Sequence, residues 1–513
     1  MTVHQVQVRR SGRLRPLPRR LAVAARRHWL LLSLLVPAIT LRVLAQLAYQ
    51  PVLLYIDSYN YLLRTRHLDP TGDDPIGYGL FLLRPLLAFG NLAVLAAFQH
   101  LLGLAMGVAI YALLRRRGAR RWLAALAAAP VLLDAYQVQI EHNLMPDTLF
   151  QVLLLAALAV LTWRETPGYV ASGVAGTLLG AAVLVRLVGE PLVLPAIAYV
   201  AVAGSGRWRR LGLVACVAAC FAVPVLAYAA DYHRHTGRFG ISSTGGAALY
   251  GRVAVFVDCA NLEMPSYERV LCPSAPVGAR PKADDLVNAP ESPLRRLRPP
   301  QGMSAEAVQV DFARRVITHQ PVDFVAAVAR DFAKGFAPYR VTFAGDVVVW
   351  RWWFPLEYPV WQPGYSMRDA VETVERYGGG GPAVQRPLAE LLRGYQRSVG
   401  YTPGPVVGVA LLLGLLGALG VGRARDRRQR AACMLFAATG GGALLTAALY
   451  LFSWRYQLPG LVLLPTAGAL GATVLFPGRE RAAVALPDHT GRDALAASPS
   501  HPARLGCRDR AED

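Results

Sequence analysis

Two acidic residues occupy positions where a carboxylate could act on a substrate at a membrane surface. Asp57 follows the first long apolar run of the chain, and Asp147 follows Pro146 at the start of a later run. Each also suits the first turn of a helix, where an acidic side chain caps the backbone or faces the positive end of the helix dipole. A partly desolvated carboxylate can instead deprotonate a hydroxyl group. Both interpretations stay open, and Asp57 is our candidate general base.

Other titratable side chains lie near these two aspartates in the sequence. Glu141 and His142 stand just before Asp147, and ionisable groups at a membrane boundary are costly enough to suggest a function. Glu141, His142 and Asp147 are expected on the same face of the membrane as Asp57. Asp73 and Asp74 lie in a segment whose composition is typical of a turn.

Arg186 and Arg455 lie in short connections that the topology below assigns to the outer face, where arginine is uncommon. Each could extend its side chain to the interface or pair with a neighbouring carboxylate. Together with Tyr456 they suit an anionic ligand, because a guanidinium group binds phosphate in a bidentate manner. We therefore expect Arg186, Arg455 and Tyr456 to contact a phosphate group.

The composition indicates a membrane protein. Of 513 residues, 54% are hydrophobic and only 17% are charged, and the mean hydropathy is +0.33. The net charge of +21 comes mostly from arginine clusters between apolar runs, which orient membrane proteins, so it does not predict nucleic-acid binding. The excess of arginine over lysine indicates a GC-rich genome such as that of an actinobacterium. The sequence contains no motif typical of an ATP-binding loop, a dinucleotide-binding turn or a zinc protease.

Apolar runs of about 20 residues are long enough to cross a bilayer as helices. Because about ten such runs occur, we predict an all-α polytopic membrane protein with about ten transmembrane helices. The runs cover residues 29–50, 91–114, 122–138, 146–163, 170–186, 189–204, 211–229, 404–421, 431–452 and 459–477.

Basic clusters predict how these helices are oriented. Arginines between positions 9 and 27, and clusters around 115–121, 207–210 and 423–430, are expected on the cytoplasmic side of the plasma membrane, with both termini. No small-residue cleavage site follows the first cluster, so we expect the first span to be retained. The predicted divisions are a basic segment 1–28, helices over 29–229 with an outer loop 51–90, a large outer loop 230–403, helices over 404–477 and a disordered cytoplasmic tail 478–513.

The loop 230–403 is long enough to fold as a mixed extracytoplasmic subdomain. Its apolar pattern predicts a pair of helices over 304–336, broken at Pro321. Cys259 and Cys272 could form a disulfide worth ~3 kcal/mol in an oxidising compartment, or remain free thiols. The aromatic residues between positions 350 and 361 suit an interfacial belt on lipid headgroups, with sugar stacking as the alternative.

Together these features resemble the GT-C superfamily of membrane glycosyltransferases. That superfamily includes protein O-mannosyltransferases, the aminoarabinose transferases of lipid A, and actinobacterial arabinofuranosyl- and mannosyltransferases. The resemblance covers most of residues 29–477 by layout, but the chain has a single aspartate, Asp57, where the mannosyltransferases have an adjacent acidic pair. The resemblance is carried by the segments 55–58, 75–78, 145–150, 185–186 and 455–459 and by the helical pair at 304–336.

The resemblance implies a transferase that takes a sugar from a polyprenyl-phosphate donor outside the cytoplasm, with inversion at the anomeric carbon. Asp57 would be the general base, and Arg186, Arg455 and Tyr456 would bind the donor phosphate. Glu141, His142 and Asp147 would line the acceptor side of the site or orient the acceptor. The acceptor would be a hydroxyl group of a glycan, a protein or a lipid of the cell envelope. No cofactor and no metal ligands are assigned, and the departure at Asp57 leaves the need for a divalent cation open.

Two other functions fit the same layout. A transporter or lipid flippase would also be polytopic, although such proteins often place ionisable residues near the midplane between repeated halves, and the sequence has no internal repeat. A noncatalytic cell-envelope scaffold would share every feature above. Convergence of Asp57, Asp147 and Arg455 in one cavity would favour the transferase, whereas scattered positions would favour the scaffold.

Overall fold

Apolar helices dominate the computed structural model, which describes residues 25–65, 67–72, 74–421 and 426–476. Within these ranges, five helices are long and apolar enough to cross a membrane, and a pair bent by 47° can form a sixth span. Several such helices indicate a multi-pass membrane protein. The five are Trp29–Ala48, Leu92–Arg116, Arg207–Thr236, Arg427–Ala448 and Trp454–Leu475, and the bent pair is Arg121–Leu133 with Ala135–His142.

Shorter apolar helices account for the other predicted runs. Every predicted run lies on a helix, but four of them lie on helices too short to meet the length expected of a span. Over its described residues the protein is therefore mostly helical with five or six candidate spans, and the total of about ten stays a prediction. The four are Asp147–Thr162, Tyr169–Val185, Leu187–Ala203 and Gly404–Leu419, and a fifth short apolar helix, Gly79–Phe89, lies outside the predicted runs.

A buried aspartate fixes the bend in the paired helices. Pro130 lies inside the first of them, and Asp134 caps the second by accepting a hydrogen bond from the backbone N–H of Tyr136 at 3.0 Å. The Asp134 carboxylate also lies 2.7 Å from the guanidinium of Arg340 and accepts a hydrogen bond from the backbone N–H of Thr402 at 2.8 Å. The bend is thus held by contacts with residues of the segment 230–403.

Glycine allows the closest approach between two of the apolar helices. The helices Gly404–Leu419 and Leu458–Leu475 pack side by side, and a Cβ atom at Gly471 would lie 2.1 Å from the carbonyl oxygen of Leu413. Lipid removes most of the hydrophobic driving force between helices in a bilayer, so close van der Waals packing of small residues takes its place. A larger side chain at Gly471 would force these two helices apart.

The regular structure of the segment 230–403 is almost all helical, with irregular stretches between the helices, whereas a mixed subdomain was predicted. Its only strand, Ala383–Val384, pairs antiparallel with Tyr49–Gln50 at the end of the first span. The predicted pair over 304–336 is present, with Gln320 between its two helices. The segment belongs to the same compact unit as the apolar helices. Its α-helices are Gly245–Ala254, Ala283–Asn288, Pro293–Arg296, Ala305–His319, Pro321–Lys334, Met367–Tyr377 and Arg386–Ser398.

One half of this segment has a hydrophobic core of its own. The helix Gly245–Ala254 packs against Ala305–His319, and the residues between them are buried. Cys259 and Cys272 are joined by a disulfide, with a Cα–Cα distance of 6.2 Å, which lies in the usual range for such bridges. The disulfide closes a loop in the segment that follows the helix Gly245–Ala254.

Some predictions fall outside the described residues. These are most of the basic segment 1–28, the acidic residue Asp73, part of the cluster 423–430 and the tail 478–513. The other connections in the bundle include the helix Ile56–Thr65 after the first span, the π-helical turn Gly79–Leu83 followed by Arg84–Phe89, and the 3₁₀ turn Leu187–Leu192 followed by Val193–Ala203.

Candidate active site

Asp57, Asp147 and Arg455 meet in one cluster, although they come from three distant parts of the chain. Nη1 of Arg455 lies 3.1 Å from Oδ2 of Asp57, and Nη2 of Arg455 lies 2.9 Å from Oδ2 of Asp147. Nε of Arg455 also donates to Oδ2 of Asp147 at 2.9 Å. Arg186 pairs with the other oxygen of Asp147. The three residues named for the transferase test therefore converge, and Arg186 joins them.

A short parallel pairing aligns the two aspartates. The backbone N–H of Leu53 donates to the His142 carbonyl at 3.1 Å, and the N–H of Leu144 donates to the Leu53 carbonyl at 3.0 Å, so that Leu53 and Asn143 lie opposite each other. Asp57 and Asp147 follow these bridged residues at equal distances along the chain, each in the first turn of a helix. The two segments therefore deliver both carboxylates to the same place.

Ser58 ties the Asp57 helix to the segment that precedes Asp147. Its hydroxyl donates to the carbonyl of Leu144 and accepts a hydrogen bond from the N–H of Tyr55, both at 2.8 Å. Ser58 is fully buried, so these hydrogen bonds are shielded from water and are correspondingly costly to lose. The helix that carries Asp57 is thus fixed directly to the Asp147 segment.

Gly77 sets the position of Arg186. A Cβ atom at Gly77 would lie 2.4 Å from the carbonyl oxygen of Leu184 and 2.7 Å from the backbone nitrogen of Val185. Since backbone atoms cannot move aside as a flexible side chain can, only glycine permits this approach. The segment around Gly77 therefore packs directly on the end of the helix Tyr169–Val185, and Arg186 follows that helix.

Arg455 and Tyr456 lie in the 3₁₀ turn Trp454–Gln457 that opens the last apolar helix. The Tyr456 ring lies 5.2 Å from the guanidinium carbon of Arg186 and 5.8 Å from that of Arg455. Both distances are within the range of cation–π attraction. A cavity of about 60 Å³ opens at this point. Its lining consists of Asp147, Phe150, Arg186, Val188, Ala443, Ala447, Tyr450, Arg455, Tyr456 and Pro459.

The cluster is buried on one side and open on the other. The Asp147 and Arg455 side chains are 4% and 7% exposed, whereas Asp57 is 30% exposed. The two guanidinium groups balance the two carboxylates, which is how buried charges are tolerated. Within the described part of the chain, no hydrogen bond is made to Oδ1 of Asp57. This oxygen is therefore available to a substrate hydroxyl group.

Asp74 is a second acidic residue of the first outer loop that lies near Asp57. The Tyr61 hydroxyl donates a hydrogen bond to Oδ1 of Asp74 at 3.2 Å. Burial, and then the negative charge of Asp57, raise the pKa of Asp74 to about 7. A neutral Asp74 adds no charge to the cluster, whereas its ionisation would place a third carboxylate beside Asp57.

Trp352, one of the six aromatic residues between 350 and 361, packs against this cluster, and the prediction of a lipid-facing belt is wrong for the three of the six that are buried. Trp352, Phe354 and Tyr358 are buried inside the protein. The Trp352 ring lies 4.9 Å from the Tyr55 ring and 5.8 Å from the guanidinium carbon of Arg455. These three side chains were expected to contact lipid headgroups, but they contact other groups of the protein instead.

Glu141 and His142 belong to a separate buried cluster. Glu141 pairs with Arg42 at 2.9 Å and with His100 at 3.1 Å. His142 lies 3.0 Å from His100, ring nitrogen to ring nitrogen, and its Nε2 donates to the carbonyl of Tyr49 at 2.7 Å. Both residues are 0% exposed. The role at the acceptor that was predicted for them has no supporting contact, whereas Asp147 lies at the cavity.

Sequence reasoning did not single out Arg42 and His100. Each is an ionisable residue inside an apolar run, which is itself a signal for a buried pair or a functional site. Gln99, beside His100, donates through Nε2 to the carbonyls of Glu141 and Asn143, both at 2.8 Å, and its Oε1 accepts a hydrogen bond from the Tyr78 hydroxyl at 2.9 Å. This second cluster therefore holds the first outer loop and the segment before Asp147 together.

Among the described residues, no group of three or more His, Cys, Asp and Glu side chains has the arrangement of a metal site. The described cysteines outside the disulfide, Cys216, Cys220 and Cys433, are free thiols.

No known family profile matches the chain, and no curated protein matches it. The Saccharomyces cerevisiae protein O-mannosyltransferase Pmt1-Pmt2 complex bound to the sugar donor is 15% identical, with a TM-score of 0.33 over 49% of this chain and 38% of that chain. The oligosaccharyltransferase AglB of Archaeoglobus fulgidus, in complex with an inhibitory peptide and a dolichol-phosphate, is 14% identical, with a TM-score of 0.40 over 88% and 51%.

The apo form of the Archaeoglobus fulgidus oligosaccharyltransferase is 16% identical, with a TM-score of 0.39 over 86% of this chain and 50% of that chain. The present chain thus spans about half the length of the archaeal chain in these two structures and 38% of the length of the yeast chain. Similarity at this level identifies no family. The chain is a mostly helical, multi-pass membrane protein with several candidate transmembrane helices.

Proposed function

We propose that this protein is a membrane glycosyltransferase that moves a sugar from a polyprenyl-phosphate carrier to a hydroxyl group of a glycan, protein or lipid on the outer face of the plasma membrane. One observation carries the proposal. Asp57, Asp147 and Arg455 meet in one ionic cluster, and Asp147 and Arg455 line a cavity, although Arg455 is separated from the two aspartates by 398 and 308 positions in the chain. Such a convergence of costly buried charges favours a site over scattered surface groups.

Asp57 acts as the general base. Its free oxygen, Oδ1, accepts the proton of the acceptor hydroxyl while the acceptor oxygen forms a bond to the anomeric carbon. The bond between that carbon and the phosphate oxygen breaks, and its electron pair leaves with the polyprenyl phosphate. Attack from the face opposite the leaving phosphate inverts the anomeric configuration. General base catalysis of this kind contributes a factor of ~10²–10⁴.

Arg186 and Arg455 stabilise the leaving phosphate. Its negative charge grows as the sugar departs, so cations placed in advance lower the energy of the transition state more than that of the bound donor. Asp147 holds both guanidinium groups in position and limits the net positive charge of the empty site. Tyr456 lies against both arginines and lines the cavity between them.

The alternative functions receive less support from the same contacts. A noncatalytic scaffold has no need for a buried aspartate and a half-buried one that share a buried arginine, because each buried charge costs several kcal/mol to desolvate, in order of magnitude. A transporter would place its ionisable groups between related halves of the chain, whereas these come from the first loop, the middle connections and the last apolar helix. A transporter or flippase remains the alternative that the following experiment can favour.

The test is the variant Asp57→Asn in the purified full-length protein reconstituted in lipid nanodiscs. Transfer from polyprenyl-phosphate sugars is followed by mass spectrometry of acceptors. We expect Asp57→Asn to lower the transfer rate by ~10²–10⁴-fold, because asparagine cannot take up the proton. Glu357→Gln, at an exposed residue of the large loop, is the matched control and should leave the rate unchanged. Full transfer by folded Asp57→Asn would refute the assignment.

A further inference from the structure

A continuous row of aromatic rings leads from Arg455 to the surface of the large outer loop. The Tyr55 ring lies 6.0 Å from the guanidinium carbon of Arg455 and 6.4 Å from the Trp361 ring. The Trp361 ring lies 5.5 Å from the Trp350 ring. Trp350 is 50% exposed. The row thus begins at the candidate active site and ends with an indole open to solvent.

Arg351 and Gln362 follow Trp350 and Trp361 directly in the chain, and each has one side-chain atom without a hydrogen-bond partner among the described residues. Arg351 donates through Nη1 to the Tyr55 hydroxyl at 3.2 Å, and its guanidinium carbon lies 5.8 Å from the Trp361 ring. Among the described residues, neither Nε of Arg351 nor Oε1 of Gln362 has a hydrogen-bond partner, and both atoms are buried. An unpaired donor and an unpaired acceptor of this kind are costly unless a ligand or water satisfies them.

This combination matches the chemistry of a sugar ring. One face of a pyranose or furanose presents C–H groups, which an indole face attracts through its quadrupole. The rim presents hydroxyl groups, which both donate and accept, as the amide oxygen of Gln362 and the guanidinium of Arg351 require. A hydrocarbon chain would cover the rings but leave both polar atoms unpaired, which is unfavourable. A saccharide satisfies the rings and the polar atoms at the same time.

We propose that the surface formed by Trp350, Arg351, Trp361 and Gln362 is a binding subsite for the saccharide chain of a glycan acceptor. This inference rests on the proposed transferase function in one respect: it assigns the acceptor class to the same site. Since Tyr55 lies two positions before Asp57, a saccharide stacked on the row reaches toward the general base. The terminal hydroxyl of the acceptor is then directed to Oδ1 of Asp57.

The subsite is tested by binding alone, in the Asp57→Asn variant, which prevents turnover. Purified full-length protein in nanodiscs is titrated calorimetrically with three probes: mannotetraose, maltotetraose and cellotetraose. A threonine-containing octapeptide is the comparison probe. We expect at least one tetrasaccharide to bind and the peptide not to bind. Trp350→Ala should weaken that binding by about tenfold, which corresponds to ~1.4 kcal/mol, whereas Trp350→Phe should weaken it by less than about threefold because a ring remains.

Trp208→Ala is the matched control, because Trp208 is 80% exposed but lies at the start of the helix Arg207–Thr236, away from the large loop. It should bind the tetrasaccharide as the Asp57→Asn parent does. Absence of tetrasaccharide binding, binding of the peptide alone, or equal affinity in Trp350→Ala and the parent would each overturn the subsite.

The outcome separates this inference from the transferase function. In the active enzyme, Trp350→Ala should raise the KM for a glycan acceptor about tenfold and change kcat little, because the ring binds the acceptor at a distance from the reacting atoms. If transfer occurs and that KM does not change, the subsite is wrong and the transferase stands. If no transfer is found but tetrasaccharide binding depends on Trp350, the transferase is wrong and the saccharide site stands.

Discussion

Two buried ionic clusters lie on neighbouring segments of this protein, but only one of them opens to a cavity. The cluster of Glu141, Arg42 and His100 is closed: the Glu141 side chain is fully buried and both of its oxygens are bonded within the protein. The cluster of Asp57 and Arg455 leaves Asp57 30% exposed with one oxygen unengaged. The two clusters use similar residues. They differ in whether a carboxylate oxygen is left to accept a hydrogen bond from a substrate.

The comparison shows what each cluster can do. A closed cluster holds segments in place, and its contribution appears in the free energy of unfolding. An open cluster can exchange one of its partners for a ligand, since a phosphate can replace a carboxylate at an arginine at little cost in electrostatic energy. Variants that remove one charge from each cluster should therefore have different effects on activity and on stability.

The largest effect on activity is expected from the open cluster. Arg455→Gln removes the cation shared by Asp57 and Asp147, so the growing phosphate charge loses a partner and the transfer rate should fall by ~10²–10³-fold. The same change leaves a buried carboxylate less compensated and should lower the free energy of unfolding by ~3 kcal/mol. Transfer assays and thermal unfolding in nanodiscs measure the two effects.

Two further variants show whether charge or geometry matters at Arg455. Arg455→Lys keeps the positive charge but cannot contact both aspartates in the planar arrangement of a guanidinium group, so it should recover only part of the rate. Arg368→Gln removes an 87% exposed arginine and should change neither rate nor stability. A normal transfer rate in Arg455→Gln would contradict the phosphate-binding role.

A smaller effect on activity, with a comparable effect on stability, is expected from the closed cluster. Glu141→Gln leaves Arg42 buried without a countercharge, so the free energy of unfolding should fall by ~3–5 kcal/mol. Because neither residue reaches the cavity, kcat at a temperature where the variant is folded should change less than about tenfold. Thermal unfolding and kinetics on the same preparation test both statements.

The double variant Arg42→Met with Glu141→Leu distinguishes loss of a pair from loss of a single charge. Removing both charges should recover much of the stability, because no uncompensated group remains. A loss of transfer in Glu141→Gln with unchanged thermal stability would instead support the acceptor role that was predicted for Glu141 from the sequence.

The smallest effect concerns Asp74 and depends on pH. Its pKa is raised from 3.8 to about 7 by burial and by Asp57, so the folded protein favours its neutral form. The stability that this form contributes is complete below the unfolded pKa and is lost as pH rises through about 7. Asparagine at position 74 cannot ionise. The difference between the Tm of Asp74→Asn and that of the parent should therefore be larger at pH 8 than at pH 5, in favour of the variant, by about a few degrees. The same Tm difference at both pH values would contradict this.

Much of the fold could be predicted because hydrophobic patterning is a local property. Every predicted apolar run lies on a helix, and the break near Pro321 separates two helices as the sequence indicated. Local pattern could not show that several of these helices are shorter than a span. It also could not distinguish a tryptophan that faces lipid headgroups from one, such as Trp352, that packs inside the protein, since both environments suit an indole.

The site was predicted in part, for a different reason. Asp57, Asp147, Arg186, Arg455 and Tyr456 were each identified by an unusual charge or position beside an apolar run. Their pairing depends on contacts between distant parts of the chain, which no local pattern encodes. The same limitation grouped Glu141 and His142 with Asp147, although the chain turns between them and directs the two sets of side chains into different clusters.

The pairing of Leu53 with Asn143 fixes where Asp57 and Asp147 lie relative to each other. Asp57 and Asp147 are positioned by counting residues from this bridge, so one residue inserted into either segment would rotate its aspartate by about 100° around its helix. Insertions of equal length in both segments would shift the two aspartates together. The lengths of these segments are therefore tied to each other, and relatives of this protein should be recognisable by the shared spacing even where the residues between bridge and aspartate have changed.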